Sequence, residues 1–389
     1  MYSLLLALIY LAFISLGLPD SLLGSAWPNI QSTVQVPTSY GGILSFLITA
    51  STILSSLGSG RMMRRFGTGG TACLSVALTA AALLGFSVSN HFFALCLWAV
   101  PYGLGAGSVD AVLNHYVALH YKAKHMSWLH CFWGIGATGG PYIMGLCLSS
   151  GIGWQSGYRV IFGIQFVFTL ILLLSLPLWK QRSADAAVHT NLPYLPLKQL
   201  LGLPAAKTVL PAFFLYSALE MTTGLWGSSY MVTVRGISTQ TAASWIALFY
   251  LGITLGRFFS GFLTTHFSDR QLIRFGGCMA ILGIFLLILP LPPIALCLGF
   301  FLTGLGCAPI YPSMLHATPA IFGTEAASSM MGTQMAFSFL GSTCMPPLCG
   351  LLTAHISMVL YPFVLFFFAV LLLVLSQIQY PPIQNGHQS

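Results

Sequence analysis

Residues 92–116 read FFALCLWAVPYGLGAGSVDAVLNHY. No charged side chain appears from Phe92 to Val109, and the apolar residues run on without the alternation that a strand would show. An unbroken apolar run of about 20 residues is the length that crosses a hydrocarbon core as a helix. A closed barrel, the other way to satisfy the backbone in lipid, alternates apolar and polar positions along each strand. The whole chain repeats the pattern. Of its 389 residues 56% are hydrophobic and only 5% charged, and the mean hydropathy is +0.86, against about 25% charged in an ordinary soluble domain. The sequence therefore predicts an all-α membrane protein.

Twelve spans are expected, at 4–30, 39–59, 71–88, 92–120, 126–150, 158–179, 208–232, 241–264, 272–290, 293–315, 326–351 and 356–378. The first is read as a helix rather than a signal peptide. No basic residue precedes it, and its apolar run continues to Pro28 without a small-residue cleavage site. With the N-terminus in the cytoplasm, Arg61, Arg64, Arg65, Lys122, Lys124, Lys180, Arg182, Lys198, Lys207, Arg257, Arg270 and Arg274 fall inside, and Arg159 and Arg235 outside. That bias is the positive-inside signature. It accounts for the net charge of +8 as topology, and no basic run in a soluble segment suggests nucleic acid as a partner. Both termini are expected in the cytoplasm, and the protein in the cell membrane.

The longest polar stretch, Lys180 to Lys207, divides the chain into an N-terminal six-helix half (1–179), a linker (180–207) and a C-terminal half (208–389). LGSGRMMRRFGTGG (57–70) after the second span and LGRFFSGFLTTHFSDRQLIRFGG (255–277) around the end of the eighth place a basic loop at the same point in each half. This is the internal duplication of many secondary transporters.

Three of the six acids, Asp20, Asp110 and Glu220, lie inside spans; Asp185, Asp269 and Glu325 fall in loops. At about 1.5 Å per residue, each of the three sits roughly 13–20 Å from a membrane face. A carboxylate at that depth costs about 2.5–3.5 kcal/mol even on the most lenient scale, so three of them imply a polar cavity between helices. A carboxyl that exchanges its proton with such a cavity is proton-coupling chemistry; the bland alternative is a protonated acid bonded to a carbonyl for packing. Asp110 has Asn114 one turn along on the same face. The aromatic and amide residues Trp27, Tyr116, His130, Trp133, Tyr216, Trp226, Tyr230 and Gln334 accompany the acids, a combination that suits the apolar faces and polar rim of a sugar. Trp27 and Tyr230, near outer helix ends, fit an interfacial belt better, and Trp226 fits a site better.

Nine cysteines in or beside apolar spans read as packing residues. His115, His120, His125 and His130, spaced by five, smear around a helix, and so form no metal site. No cofactor is expected, and a monomer is, because no additional domain calls for a protein partner.

Twelve spans in two halves, the central polar loop and the basic loop after span two resemble the major facilitator superfamily over nearly the whole chain. GLPDSLLGSAWP (17–28), GLGAGSVDAVLN (103–114) and HCFWGIGA (130–137) resemble the fucose permease branch of proton-linked sugar symporters. The resemblance implies substrate and proton coupling at Asp20 and Asp110. It sets His130, where an amide is usual, and Trp133 at the polar pair of helix five. The superfamily's cytoplasmic gate motif, Gly-x-x-x-Asp-Arg-x-x-Arg-Arg, keeps Arg61, Arg64 and Arg65 here, while Gly60 stands where the aspartate is expected.

The expected function is proton-coupled symport of a sugar or related small polar metabolite by alternating access. Asp20, Asp110 and Glu220 are the proton-coupling candidates. Asp20, Asn114, His130, Trp133, Tyr216, Trp226 and Gln334 are the substrate-binding candidates. GIGATGGPYIMG (134–145) partly matches the Gly-Pro motif of the superfamily's antiporters, or is plain small-residue packing. A drug or metabolite antiporter is therefore the runner-up. A transport-inactive sensor is favoured by Gly60 alone. A membrane hydrolase lacks a Ser or Cys in catalytic context.

Overall fold

The computed structural model of the chain describes residues 2–121, 123–180, 197–264 and 266–378. Lys122, Arg182, Asp185 and most of the expected linker lie outside the described residues, as do the side chains of His115, His120, Lys124, Lys180 and Glu325. Every regular element among the described residues is helical.

The first expected span is two abutting helices, α1 (Tyr2–Asp20) and α2 (Leu22–Val34). Pro19 has no N–H to give the Ser15 carbonyl, and its ring crowds that carbonyl, so the ladder breaks just beyond it. Asp20 ends α1 at this discontinuity. α3 (Tyr40–Val88) runs 49 residues and holds both the second and third spans. Residues 60–66, expected as a loop, continue the helix, and the chain turns instead at Gly67, whose φ of 72° and ψ of 174° suit glycine alone. α4 (Phe92–His120), α5 (Ala123–Ser149) and α6 (Trp154–Lys180) follow close to the expected limits.

A short α7 (Leu197–Gly202) leads to α8 (Ala206–Thr233), α9 (Thr239–Leu263) and α10 (Asp269–Ile288). α10 begins with a reciprocal cap between Ser268 and Gln271. The tenth span is interrupted, with α11 (Pro293–Cys307) giving way at Pro309 to α12 (Ile310–His316) and α13 (Thr318–Phe322). α14 (Thr324–His355) and α15 (Tyr361–Ile378) complete the bundle. Among the described residues, ten helical stretches are long and apolar enough to cross a membrane. α3 contains two crossings on either side of Gly67. α8, about 42 Å long at 1.5 Å per residue, is made less apolar by Glu220, Thr222, Thr223, Ser228 and Ser229 and supplies the remaining one, so the expected twelve are present.

Arg61, Arg64, Arg65, Arg270 and Arg274 mark one end of the bundle as basic. The opposite end is sealed. There Gly24 of α2 lies on the backbone of Gly224 in α8, so that a Cβ on Gly24 would collide with the Gly224 carbonyl. Gly42 of α3 lies against Pro347 of α14, and Gly145 of α5 against Ser244 of α9. Around them Leu22, Ala26, Trp27 and Ile30 of α2 are wholly buried. Toward the basic end, a Cβ placed on Gly58, Gly261 or Gly332 of α3, α9 or α14 would have no neighbour within 4 Å. Arg235, in the turn between α8 and α9, donates to the carbonyls of Leu287 (3.2 Å), Leu289 (3.0 Å) and Leu291 (2.6 Å) and so caps the C-terminal end of α10.

Candidate functional site

Asp20 stands at the break between α1 and α2, exposed beneath the sealed end. Two helices send donors to it. The Tyr102 hydroxyl of α4 donates to Oδ1 at 3.2 Å, and the Trp133 indole N–H of α5 donates to Oδ2 at 2.8 Å. Each oxygen keeps a lone pair beyond its one donor. Because the sealed end excludes water from above, the exposed face of Asp20 is reached from the basic end.

Asp110 lies eight residues after Tyr102 on α4, about 12 Å along the axis toward the basic end. Asn114 Nδ2 donates to its Oδ1 at 2.9 Å and to its carbonyl at 3.0 Å, which is the contact expected from the one-turn spacing. Both side chains are half-buried. Among the described residues, Asp20 and Asp110 thus have neutral donors and no counter-ion.

Glu220 of α8 differs, because it faces a cation. Arg257 of α9 sets Nη2 3.6 Å from its Oε1, with the two side chains 13% and 14% exposed. The same guanidinium lies over the Trp133 ring, 5.2 Å from its centre. The indole that donates to Asp20 is therefore covered on one face by a cation from the other half of the chain. The Tyr250 hydroxyl of α9 packs on Gly224, joining α9 to the seal above. His130, exposed one turn from Trp133, meets Phe13 edge-on at 6.0 Å. Tyr216 is buried one turn before Glu220, and Tyr311 of α12 packs on it at 5.4 Å.

Of the substrate-binding candidates, Asp20, His130, Trp133 and Tyr216 gather with Glu220, and Asn114 stays with Asp110. Trp226 and Gln334 stand apart from this cluster. Trp226 is wholly buried against Gly350, and its N–H donates to the Pro346 carbonyl at 2.8 Å, which makes it a core residue of the α8–α14 contact. Gln334 is also wholly buried and accepts a hydrogen bond from Thr318 at 3.0 Å, near the basic end of α14. Trp27 and Tyr230 are not belt residues either. Trp27 packs on Gly41 and donates to Thr38, and Tyr230 donates to Leu287 from a buried position. Tyr116 packs against Trp179. Arg61, Arg64 and Arg65 are exposed and form no ion pair among the described residues; a Cβ at Gly60 would have only Arg64 within 4.0 Å.

The clearest omission of the sequence reading is Arg257, counted with the loop arginines. It sits six residues inside the end of α9, in LGITLGRFFSGFL, with apolar residues on both sides. At 1.5 Å per residue it is about 9 Å deep, and its depth was the available signal. Tyr102 and Tyr250 carry no comparable mark, because tyrosine is common in apolar helices.

The chain matches the family description Major Facilitator Superfamily over residues 9–293 and 210–383. It is 22% identical over 420 residues to Bypass of stop codon protein 6 of Saccharomyces cerevisiae, covering 97% of this chain and 82% of that protein. Against the Glucose/mannose transporter GlcP of Bacillus subtilis it is 23% identical over 314 residues, with 79% of this chain and 77% of that one covered. The crystal structure of a bacterial homolog to the human lysosomal transporter Spinster, inward-facing and occupied, superposes with a TM-score of 0.74 at 13% identity over 97% of this chain and 96% of that one. An all-helical bundle of twelve crossings with acids at mid-depth, and a family match that spans most of its length, together identify the chain as a member of the Major Facilitator Superfamily.

Proposed function

We propose that this secondary transporter, which is not an enzyme, is a proton-coupled symporter of a sugar or related small polar metabolite, working by alternating access. The observation that carries the reading is Asp20: a carboxylate at mid-depth, open to the basic end, bonded by Trp133 and Tyr102 and carrying spare lone pairs. Such a group accepts from a sugar hydroxyl, and Trp133 and His130 border it with flat rings. Asp110, bridged by Asn114 and lying between Asp20 and the basic end, is the proton carrier in this reading. The name of the GlcP relative and the resemblance to the fucose permease branch support a sugar as substrate.

The halves 1–179 and 208–389 rock about the site as the linker 180–207 spans them, with Gly60, Arg61, Arg64 and Arg65 at the gate. The basic end and both termini face the cytoplasm of the cell by the positive-inside bias, and the carrier works as a monomer. The antiporter alternative loses weight because the glycines of 134–145 are engaged in packing. Gly136 and Gly140 meet the α1 backbone, and Gly134 and Gly145 meet Thr254 and Ser244.

Purified full-length protein in proteoliposomes, offered labelled D-glucose and then a panel of hexoses, deoxyhexoses and uronates, tests the reading. The expected result is accumulation that a protonophore abolishes, with alkalinisation of the outer medium. Acidification would indicate antiport, sugar binding without counterflow would indicate a sensor, and uptake indifferent to a protonophore would remove the proton from the mechanism.

A further inference from the structure

Among the described residues, two of the three membrane acids hold neutral partners, and the third holds Arg257. The sequence reading treated Glu220 as one more proton-coupling group, yet its surroundings point to another task. Arg257 makes two contacts at once: its Nη2 faces Glu220 at 3.6 Å, and its Cζ lies over the Trp133 ring, 5.2 Å from the ring centre. Trp133 in turn holds Asp20 through its indole N–H at 2.8 Å. Four side chains on α8, α9, α5 and α1 therefore form one line, Glu220–Arg257–Trp133–Asp20, and the line crosses from the second half of the chain to the first.

We propose that Arg257 and Glu220 are positioning residues of the substrate site: their ion pair presses a guanidinium plane onto Trp133 and so fixes the indole that binds Asp20. Several features fit this role. An indole on α5 has two rotatable side-chain bonds, and one hydrogen bond to Asp20 leaves it free to pivot about that bond. A cation on its face removes the pivot. Arginine does this and lysine does not, because lysine offers a point charge and no plane. Glu220 is needed because an unpaired guanidinium on a half-buried surface would turn toward water. The α5 and α9 backbones are close enough for the contact, since Gly134, the residue after Trp133 on α5, lies on Thr254 of α9, one turn before Arg257. The pair consequently acts on substrate through Trp133, and the site is complete only when the two halves meet at this level.

The inference rests on Asp20 and Trp133 forming the substrate site of a sugar carrier, and the experiment separates the two ideas. Labelled D-glucose counterflow in wild-type proteoliposomes examines the carrier reading alone. In the variants, Arg257→Lys and Glu220→Gln are each expected to raise KM for D-glucose about tenfold with kcat within about twofold, and the double variant to stay near tenfold instead of reaching a hundredfold, because both act on one chain of contacts. Wild-type KM in Arg257→Lys, or additive effects in the double variant, would overturn the proposal. A readout without substrate covers the case in which D-glucose is not carried. Arg257→Lys should alter the tryptophan emission of the detergent-solubilised protein, and the same substitution in a Trp133→Phe background should leave emission unchanged. An equal change in both backgrounds would mean that Arg257 is a general structural residue and would end the proposal.

Discussion

At the scale of single residues, the three acids are separated by their partners. Asp110 has Asn114 beside it, and among the described residues no cation pairs with it, so the partner seen for its carboxylate is a neutral amide. If it carries the proton, Asp110→Asn keeps the hydrogen-bonding shape but cannot ionise. Exchange of labelled for unlabelled sugar should persist within about threefold of wild type, and accumulation against a gradient should fall to none. Concentrative, protonophore-sensitive uptake at wild-type rates in that variant would make Asp110 a packing acid. The pair Asp110–Asn114 was legible in the sequence because a helix puts residues four apart on one face. The pairing of Glu220 was not, because Arg257 lies 37 positions away on another helix, and its charge resembled those of the loops. Trp226 shows the opposite limit: an indole near a membrane acid looks like a sugar platform in sequence, whereas in the fold it is wholly buried and its N–H goes to the Pro346 carbonyl of α14.

At the scale of elements, the spans themselves were readable to within a few residues, since hydrophobic length is a direct consequence of bilayer thickness. What composition hides is where a span breaks. Asp20 lies at the α1–α2 discontinuity because Pro19 interrupts the ladder, and a polar group at a helix break inside a membrane is how many carriers build their sites. The far-end seal is equally local, resting on close backbone approach at Gly24 and Gly224. Gly24→Val would force α2 away from α8, at a cost of about 1–3 kcal/mol to the sealed arrangement. That is about 5- to 150-fold in the ratio of conformations. Spin labels at Gln35 and Gly236 are expected to move apart in this variant. Unchanged distances in a folded Gly24→Val protein would mean that the Gly24 contact does not hold the seal.

For the whole molecule, the basic end also shows how charge counting can mix two meanings. Arg257 was counted with the topology charges but is spent inside the bundle, and Arg235, one of two exceptions to the bias, is engaged with three carbonyls at the end of α10. Discounting both leaves the orientation unchanged. The seal itself has a consequence for traffic. Its two faces meet largely through glycine backbone and wholly buried side chains, so parting them exposes a dry surface in one step, with few long side chains to slide past each other. An empty carrier must make that separation with nothing in the site to offset it, whereas in the proposed cycle a loaded one makes it with substrate bridging Asp20 and the Trp133 ring. Return of the empty form should then limit the cycle, and sugar placed on the trans side of the vesicle should speed the exit of labelled sugar several-fold. Equal efflux into sugar-free and sugar-containing medium would show that the carrier reopens its far end as readily unladen as laden.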